Sequence, residues 1–182
     1  MPKTIVFLGP GASGKDYATE ELCRLHGYTK CVSTTTRAPR PGEEKGQAYH
    51  FVTRAEFEAG IRVGEYLEYD EFGGNYYGLS KRSFRDENGI VILTPHGLAQ
   101  LRKAKPHLPL HVVYLMVNEN IRRDRLMIRM KEDKAQVQQR LDLDRRTFDG
   151  FSDYTMRIMR SDFTVLDLLD ALAPEQTIQQ TE

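Results

Sequence analysis

The chain has little of what would take it outside the ordinary globular class. Only two of its 182 residues are cysteines, Cys23 and Cys31. That is too few for a disulfide framework, and the pair lacks metal-ligand spacing, so a reducing, cytoplasmic setting is expected. No apolar run approaches the length of a membrane span. The first apolar stretch is too short for a signal peptide and has no cleavage-site pattern. Membrane classes are therefore set aside. There is no charge excess either: 26 basic residues face 26 acidic ones, so the whole molecule should not be drawn to nucleic acid and any basic site must be local. Internal repeats and low-complexity tracts are absent, and no pattern specifies an oligomeric state. The 40% hydrophobic content is enough for one domain with a sizeable core and room for small inserted lobes.

What is present begins with Gly9-Pro10-Gly11-Ala12-Ser13-Gly14-Lys15-Asp16, between the apolar run Thr4-Ile-Val-Phe-Leu8 and a helical pattern opening at Tyr17. Strand, glycine-rich turn and helix form the context of a phosphate-binding loop. The glycines let backbone N–H groups converge, the helix start adds partial positive charge, and Lys15 adds a full one. The same glycines satisfy Gly-x-Gly-x-x-Gly, but a dinucleotide site expects an acid about 20 residues on. After the second strand candidate, 29–33, none comes before Glu43. One position departs from the phosphate-loop pattern: Asp16 stands where Ser or Thr is usual.

Along the chain, Leu22 and Leu25 point the first helix at a core and Gly27 stops it. Residues 34–80 read as a small, mostly β insertion, with a strand at 49–52, a Thr53/Glu56 capping box and two short strands around Gly73-Gly74. The alternation then resumes: a helix capped by Ser80 to about residue 88, a strand at 90–93, a helix at 95–105, and a strand at 110–116. Helices follow from Asn118 to Arg129 and over 134–148. A last strand near 162–165, a helix to Ala173 and a polar tail at 174–182 complete the chain. Strands alternating with helices imply an α/β fold with a parallel sheet covered by helices, and ligands at the carboxyl ends of its strands.

The insertion carries Arg37 and Arg40, stiffened by Pro39 and Pro41. Two guanidiniums held this close suit an anion between them, and phosphate accepts bidentate bonds from each. With Ser33, Tyr49, Glu68 and Tyr77 in the same lobe, the chemistry reads as a phosphate-monoester pocket.

The blocks Ser33-Thr-Thr-Thr-Arg37-Ala-Pro-Arg40-Pro-Gly-Glu43, Gly46, Tyr49-His-Phe51 and Gly74-Asn75-Tyr76-Tyr77-Gly78 resemble the guanylate kinase family in order and spacing, over nearly the whole chain. That resemblance implies a P-loop nucleoside monophosphate kinase transferring the γ-phosphoryl group of ATP to GMP or dGMP, with Mg²⁺. Residues 1–33 and 81–182 would form the core, 34–80 the nucleoside-monophosphate lobe and about 125–145 a helical lid. ATP would lie on residues 9–17, including Tyr17. The acceptor phosphate would meet Arg37, Arg40, Tyr49 and Tyr77, and the guanine Ser33 and Glu68, with Thr94 beside the acceptor. Arg125-Leu126-Met-Ile-Arg129 and Arg140 match the family's lid arginines; the resemblance implies that Arg129, Arg140 and Arg125, with Lys15, are catalytic. Met130 replaces a usual glycine there.

The departures are Asp16, the strand 90–94 with Ile92 and Thr94 where the family carries aspartates, Leu79 in place of Ser or Thr (with Ser80 adjacent), and Arg160 at an asparagine beside the adenine pocket. A carboxylate lost from the strand and regained at Asp16 would make Asp16 a Mg²⁺ ligand; a decayed site is the other reading. Gly-Lys-Asp without strand acids also resembles ribose 1,5-bisphosphate phosphokinases. A third reading is a phosphopeptide-binding module of guanylate-kinase type, which would keep the acceptor lobe but lose the phosphate loop.

Overall fold

All five residues of Thr4–Leu8 are buried, and a pleated strand with no exposed face must be covered on both sides. A computed structural model, describing residues 4–131, 133–164 and 167–169, shows how. In chain order the elements are β1 (Thr4–Leu8), α1 (Lys15–His26), β2 (Thr29–Lys30), β3 (Thr34–Thr35), β4 (His50–Phe51), α2 (Arg54–Arg62), β5 (Tyr66–Phe72), β6 (Asn75–Ser80), β7 (Gly89–Ile92), α3 (Pro95–Ala104), β8 (Leu110–Leu115), α4 (Glu119–Arg129), α5 (Lys134–Phe148) and β9 (Met156–Ile158). One sheet has the order β2-β7-β1-β8-β9, every pairing parallel. Alternate β1 side chains serve opposite faces: Ile5 and Phe7 pack with Ala18 and Leu22 of α1, while Val6 and Leu8 pack with Leu98 and Leu101 of α3. The expected α/β architecture is thus observed. The chain leaves β1, the central strand, between neighbours that follow it far later in sequence, and the glycine-rich loop opens there.

A second sheet, β4-β3-β6-β5, is built wholly from residues 34–80. Its β5–β6 hairpin turns at Gly73 and Gly74, both left-handed at φ 59° and 76°, as a two-residue hairpin turn with right-handed strand twist requires. The Thr53/Glu56 capping box forms at the start of α2. Phe57 of that helix is fully buried, stacked on Tyr66 at 4.3 Å and Tyr76 at 5.1 Å between ring centroids.

Three local expectations are corrected. Leu25 is 51% exposed, because α1 buries the Ala18–Leu22 face instead. No helix follows Ser80: its hydroxyl and carbonyl accept from Ser83 N–H, the carbonyl also from Phe84 N–H, and burial of Phe84 ends the segment after that turn. The last strand is Met156–Ile158, paired with β8, rather than 162–165. Phe163 is buried, and the Thr164 hydroxyl accepts from Asp167 N–H while the Asp167 carboxylate accepts from Thr164 N–H at 2.6 Å, a reciprocal cap at the start of the helical residues 167–169. Val165, the rest of the expected helix to Ala173 and the tail lie outside the described residues.

Truncating Phe57 removes the ring that joins α2 to both strands of the hairpin. Phe57→Ala should destabilise the protein by about 3–5 kcal/mol, measured as a lowered urea midpoint.

Candidate functional site

The loop after β1 needs glycine for two different reasons. Gly9 has φ 151°, and a Cβ there would stand 2.5 Å from the Leu115 carbonyl oxygen. Gly11 has no such backbone constraint. A Cβ on it would meet Arg140 Nε at 3.0 Å and Asp144 Oδ2 at 3.2 Å, so the missing side chain makes room for two charged groups. Lys15 is folded back on the loop, donating to the carbonyls of Gly9 at 2.6 Å and Pro10 at 2.8 Å and to Ser13 Oγ at 3.3 Å. Burial lowers its ammonium to about 8, as expected for a cation removed from water.

A cleft of about 560 Å³ lies against this loop. Its lining includes Gly9, Gly11, Ala12, Lys15 and Asp16 on one side and Ser33, Arg37, Arg40, Tyr49, Glu68 and Tyr77 of the small lobe on the other. Thr94, Arg129 and Arg140 also line it. Residues distant in sequence therefore share one space. Gly14, Tyr17 and Arg125 line an adjoining hollow of about 300 Å³ with Ser161 and Phe163, and Ala12 and Asp16 border both spaces. There Arg125 donates to the carbonyls of Ala12 at 3.0 Å and Ser161 at 3.2 Å. Pro10 and Ser13 contribute through their contacts with Lys15.

The arginine pair already holds an anion, the lobe's own Glu43. Its carboxylate lies 2.9 Å from Arg37 Nη2, accepts from the Arg40 backbone N–H at 2.8 Å and sits 3.5 Å from Arg40 Nη1. Tyr49 and Tyr77 meet edge-on at 5.9 Å, with the Arg37 guanidinium 5.4 Å from the Tyr49 ring. Burial pushes the Tyr49 phenol up to about 12. Burial first, then the nearby Arg129 and Arg37 charges, lowers the Arg40 pKa. The Arg129 side chain lines the cleft and forms no hydrogen bond or ion pair with a described residue.

A family model described as guanylate kinase matches residues 1–172. The chain belongs to the guanylate kinase family. Guanylate kinases of Nostoc sp. and Homo sapiens are each 31% identical to it, over 166 and 186 residues, covering 88% and 96% of this chain and 83% and 94% of theirs. The fold matches a crystal structure of guanylate kinase from Anaplasma phagocytophilum, with a TM-score of 0.69 at 21% identity over 94% of this chain and 82% of that one.

This guanylate kinase family member carries three carboxylates that residue-by-residue reading passed over. Glu43 lies three positions after Arg40. Asp70 lies two after Glu68, hence on the same strand face, and accepts from Thr94 Oγ1 at 2.5 Å with His96 Nδ1 at 3.2 Å. Asp144 lies four after Arg140, one helical turn away, and is wholly buried. For Asp70 and Asp144 strand or helix periodicity was the available signal; Glu43 closes a turn on Arg40, its N–H donating to the Arg40 carbonyl at 3.0 Å. Thr94 also caps α3, its hydroxyl accepting from Gly97 N–H at 3.0 Å. Leu79 belongs to the core rather than the cleft, and the Ser80 hydroxyl donates to Ser83 at 3.0 Å. Arg160 is exposed and paired with Asp162 at 3.1 Å.

Glu68 is 5% exposed, and a Cβ on Gly97 would stand 2.5 Å from its Oε2. Burial raises its pKa from 4.5 to about 8. Across that window the folded state holds a proton that the unfolded chain has released, so this group's contribution to stability falls as pH rises, by at most about 1.4 kcal/mol per pH unit. Glu68→Gln should flatten the decline, leaving the variant more stable than the parent protein near pH 9, as read from urea midpoints over about pH 5 to 9.

Proposed function

We propose that the chain is a guanylate kinase that transfers the γ-phosphoryl group of ATP to GMP, or dGMP, giving ADP and GDP. The observation that carries the acceptor assignment is Glu68, a buried carboxylate in the same cleft as the phosphate loop and the arginine pair. A carboxylate accepts from both N1–H and the 2-amino group of guanine. Both bonds call for the ionised form of Glu68, which guanine would favour; adenine has neither donor and would leave that ionised form unpaired. Arg37, Arg40, Tyr49 and Tyr77 serve the acceptor phosphate, which displaces Glu43 as their anion, while Ser33 and Thr94 border the nucleoside. Residues 9–17 hold the ATP phosphates, with Tyr17 and Arg125 at the outer hollow. Residues 34–80 act as the acceptor lobe and about 125–145 as the lid.

Phosphoryl transfer depends mainly on positioning and charge neutralisation. Lys15 turns from the loop carbonyls to the triphosphate, and Arg129 and Arg140 approach the transferred group from the opposite wall. No general base is required, because the acceptor oxygen is already anionic at neutral pH. Closure of the lobes would exclude water as a competing acceptor. The reaction suits a reducing, cytoplasmic setting.

The donor set fits Mg²⁺ in its sparsest form. Among the described residues no three His, Cys, Asp or Glu form a cage. Asp16 is exposed at the cleft and free of hydrogen bonds or ion pairs to described residues, and Mg²⁺ beside nucleotides is commonly held by one carboxylate plus phosphate oxygens. Bound there, the ion would neutralise phosphate charge.

An ADP-release assay over nucleoside monophosphates and ribose 1,5-bisphosphate tests the reading. GMP and dGMP should be turned over, and AMP should be worse by on the order of 10⁴ in kcat/KM. Turnover of the sugar bisphosphate alone would assign the acceptor to that class, and no ADP with any acceptor would favour the binding-module reading. Asp16→Asn should raise the Mg²⁺ concentration needed for half-maximal rate about tenfold or more; an unchanged Mg²⁺ titration would remove Asp16 from the metal site.

A further inference from the structure

Asp144 lies on α5 in the lining of the cleft, with no exposed surface. Its two oxygens are used differently. Oδ2 accepts from the phosphate-loop Gly11 N–H at 2.8 Å and lies 3.2 Å from Arg122 Nη1. Oδ1 accepts from Arg140 Nε at 3.1 Å. Arg122 is itself buried and donates through Nε to the Val117 carbonyl at 3.1 Å, just past β8. One carboxylate thus ties the loop, the end of a core strand and the arginine of the opposite wall.

The geometry points to Asp144 as a positioning residue for phosphoryl transfer, a role that rests on the kinase reading above. A guanidinium held through Nε keeps its two Nη groups free, and those are the pair that grips a phosphoryl group bidentately. Neither Nη of Arg140 hydrogen-bonds a described residue, and the guanidinium carbon lies 4.6 Å from the Phe72 ring centroid of the acceptor lobe. Because the same carboxylate holds Gly11 N–H, Arg140 is registered against the loop that carries the donor phosphates. Glycine at Gly11 favours this bond: a Cβ there would stand 3.0 Å from Arg140 Nε and 3.2 Å from Asp144 Oδ2, and one of them would have to shift.

Asp144→Asn keeps the volume and removes the charge. Its kcat should fall about 10- to 100-fold, as expected for a misplaced catalytic group, with KM for ATP and GMP changed less than about threefold. The deciding measurement is a double-mutant cycle with Arg140→Met. If Asp144 acts through Arg140, adding Asp144→Asn to Arg140→Met should cost less than about twofold more. Full additivity, or an unchanged kcat in Asp144→Asn, would overturn the proposal.

If Asp144→Asn does not fold, Arg122→Met with Asp144→Leu removes both buried charges together, which a core tolerates better than one left unpaired. That pair should fold and still lose kcat about tenfold or more. A folded double variant with parental kcat would refute the role. Parent protein that makes no ADP from ATP with GMP would overturn both this proposal and the reading it rests on. Active parent protein with an additive cycle would overturn this proposal alone.

Discussion

Several cations converge on one cleft, and a folded chain cannot leave them facing each other uncompensated. Lys15, Arg37, Arg40, Arg129 and Arg140 all line it. Each except Arg129 is met by an acceptor built into the fold: loop carbonyls for Lys15, Glu43 for Arg37 and Arg40, and Asp144 for Arg140. The result is an anion site whose positive charge is partly compensated and so can exist before an anion arrives. Acceptors supplied by the protein are also ones that a phosphate can replace, since a side-chain carboxylate and a phosphate oxygen make the same geometric demands on a guanidinium. A chain with no net charge can therefore gather several cations in one cleft, with carboxylates among them.

Close approach is the second constraint. The loop passes within contact of β8 at Gly9 and of α5 at Gly11, and α3 begins against Glu68 at Gly97. Two of these three are glycines for space, because only Gly9 has a left-handed φ. The approach at Gly97 helps to keep water from Glu68, whose carboxyl rises in pKa, and desolvation also raises the Tyr49 phenol and lowers the Lys15 ammonium.

Most elements were legible because their signals are local. Apolar runs mark β7 and β8, the Thr53/Glu56 box marks α2, Gly73-Gly74 marks the hairpin, and Asn118 marks α4. The failures came where two local signals competed. Ser80 is a good cap, yet it ends a strand and opens only a turn; Thr164 sits in an apolar stretch but caps the helical residues that follow. Leu25 fits the helical period, but α1 turns a different face to the sheet. Among site residues, those in contiguous motifs were found, although Glu43 stood in one without a role; Asp70 and Asp144 were not found. An acidic side chain reads as a solvated surface group until tertiary structure shows which cation it faces.

By itself the sequence determined the glycine loop with its lysine, the arginine pair, the alternation that produces a covered parallel sheet, and membership of a family. These are properties of residues within a few positions of one another, governed by backbone conformation and periodicity. Only the tertiary structure decided that the loop, the small lobe and the arginines share one cleft. It also decided that Arg125 turns to a different hollow from Arg129, and that Asp144 joins the loop to Arg140. Burial and charge compensation are set between segments far apart in the chain, 133 positions in the Gly11–Asp144 bond, and no local pattern carries that information.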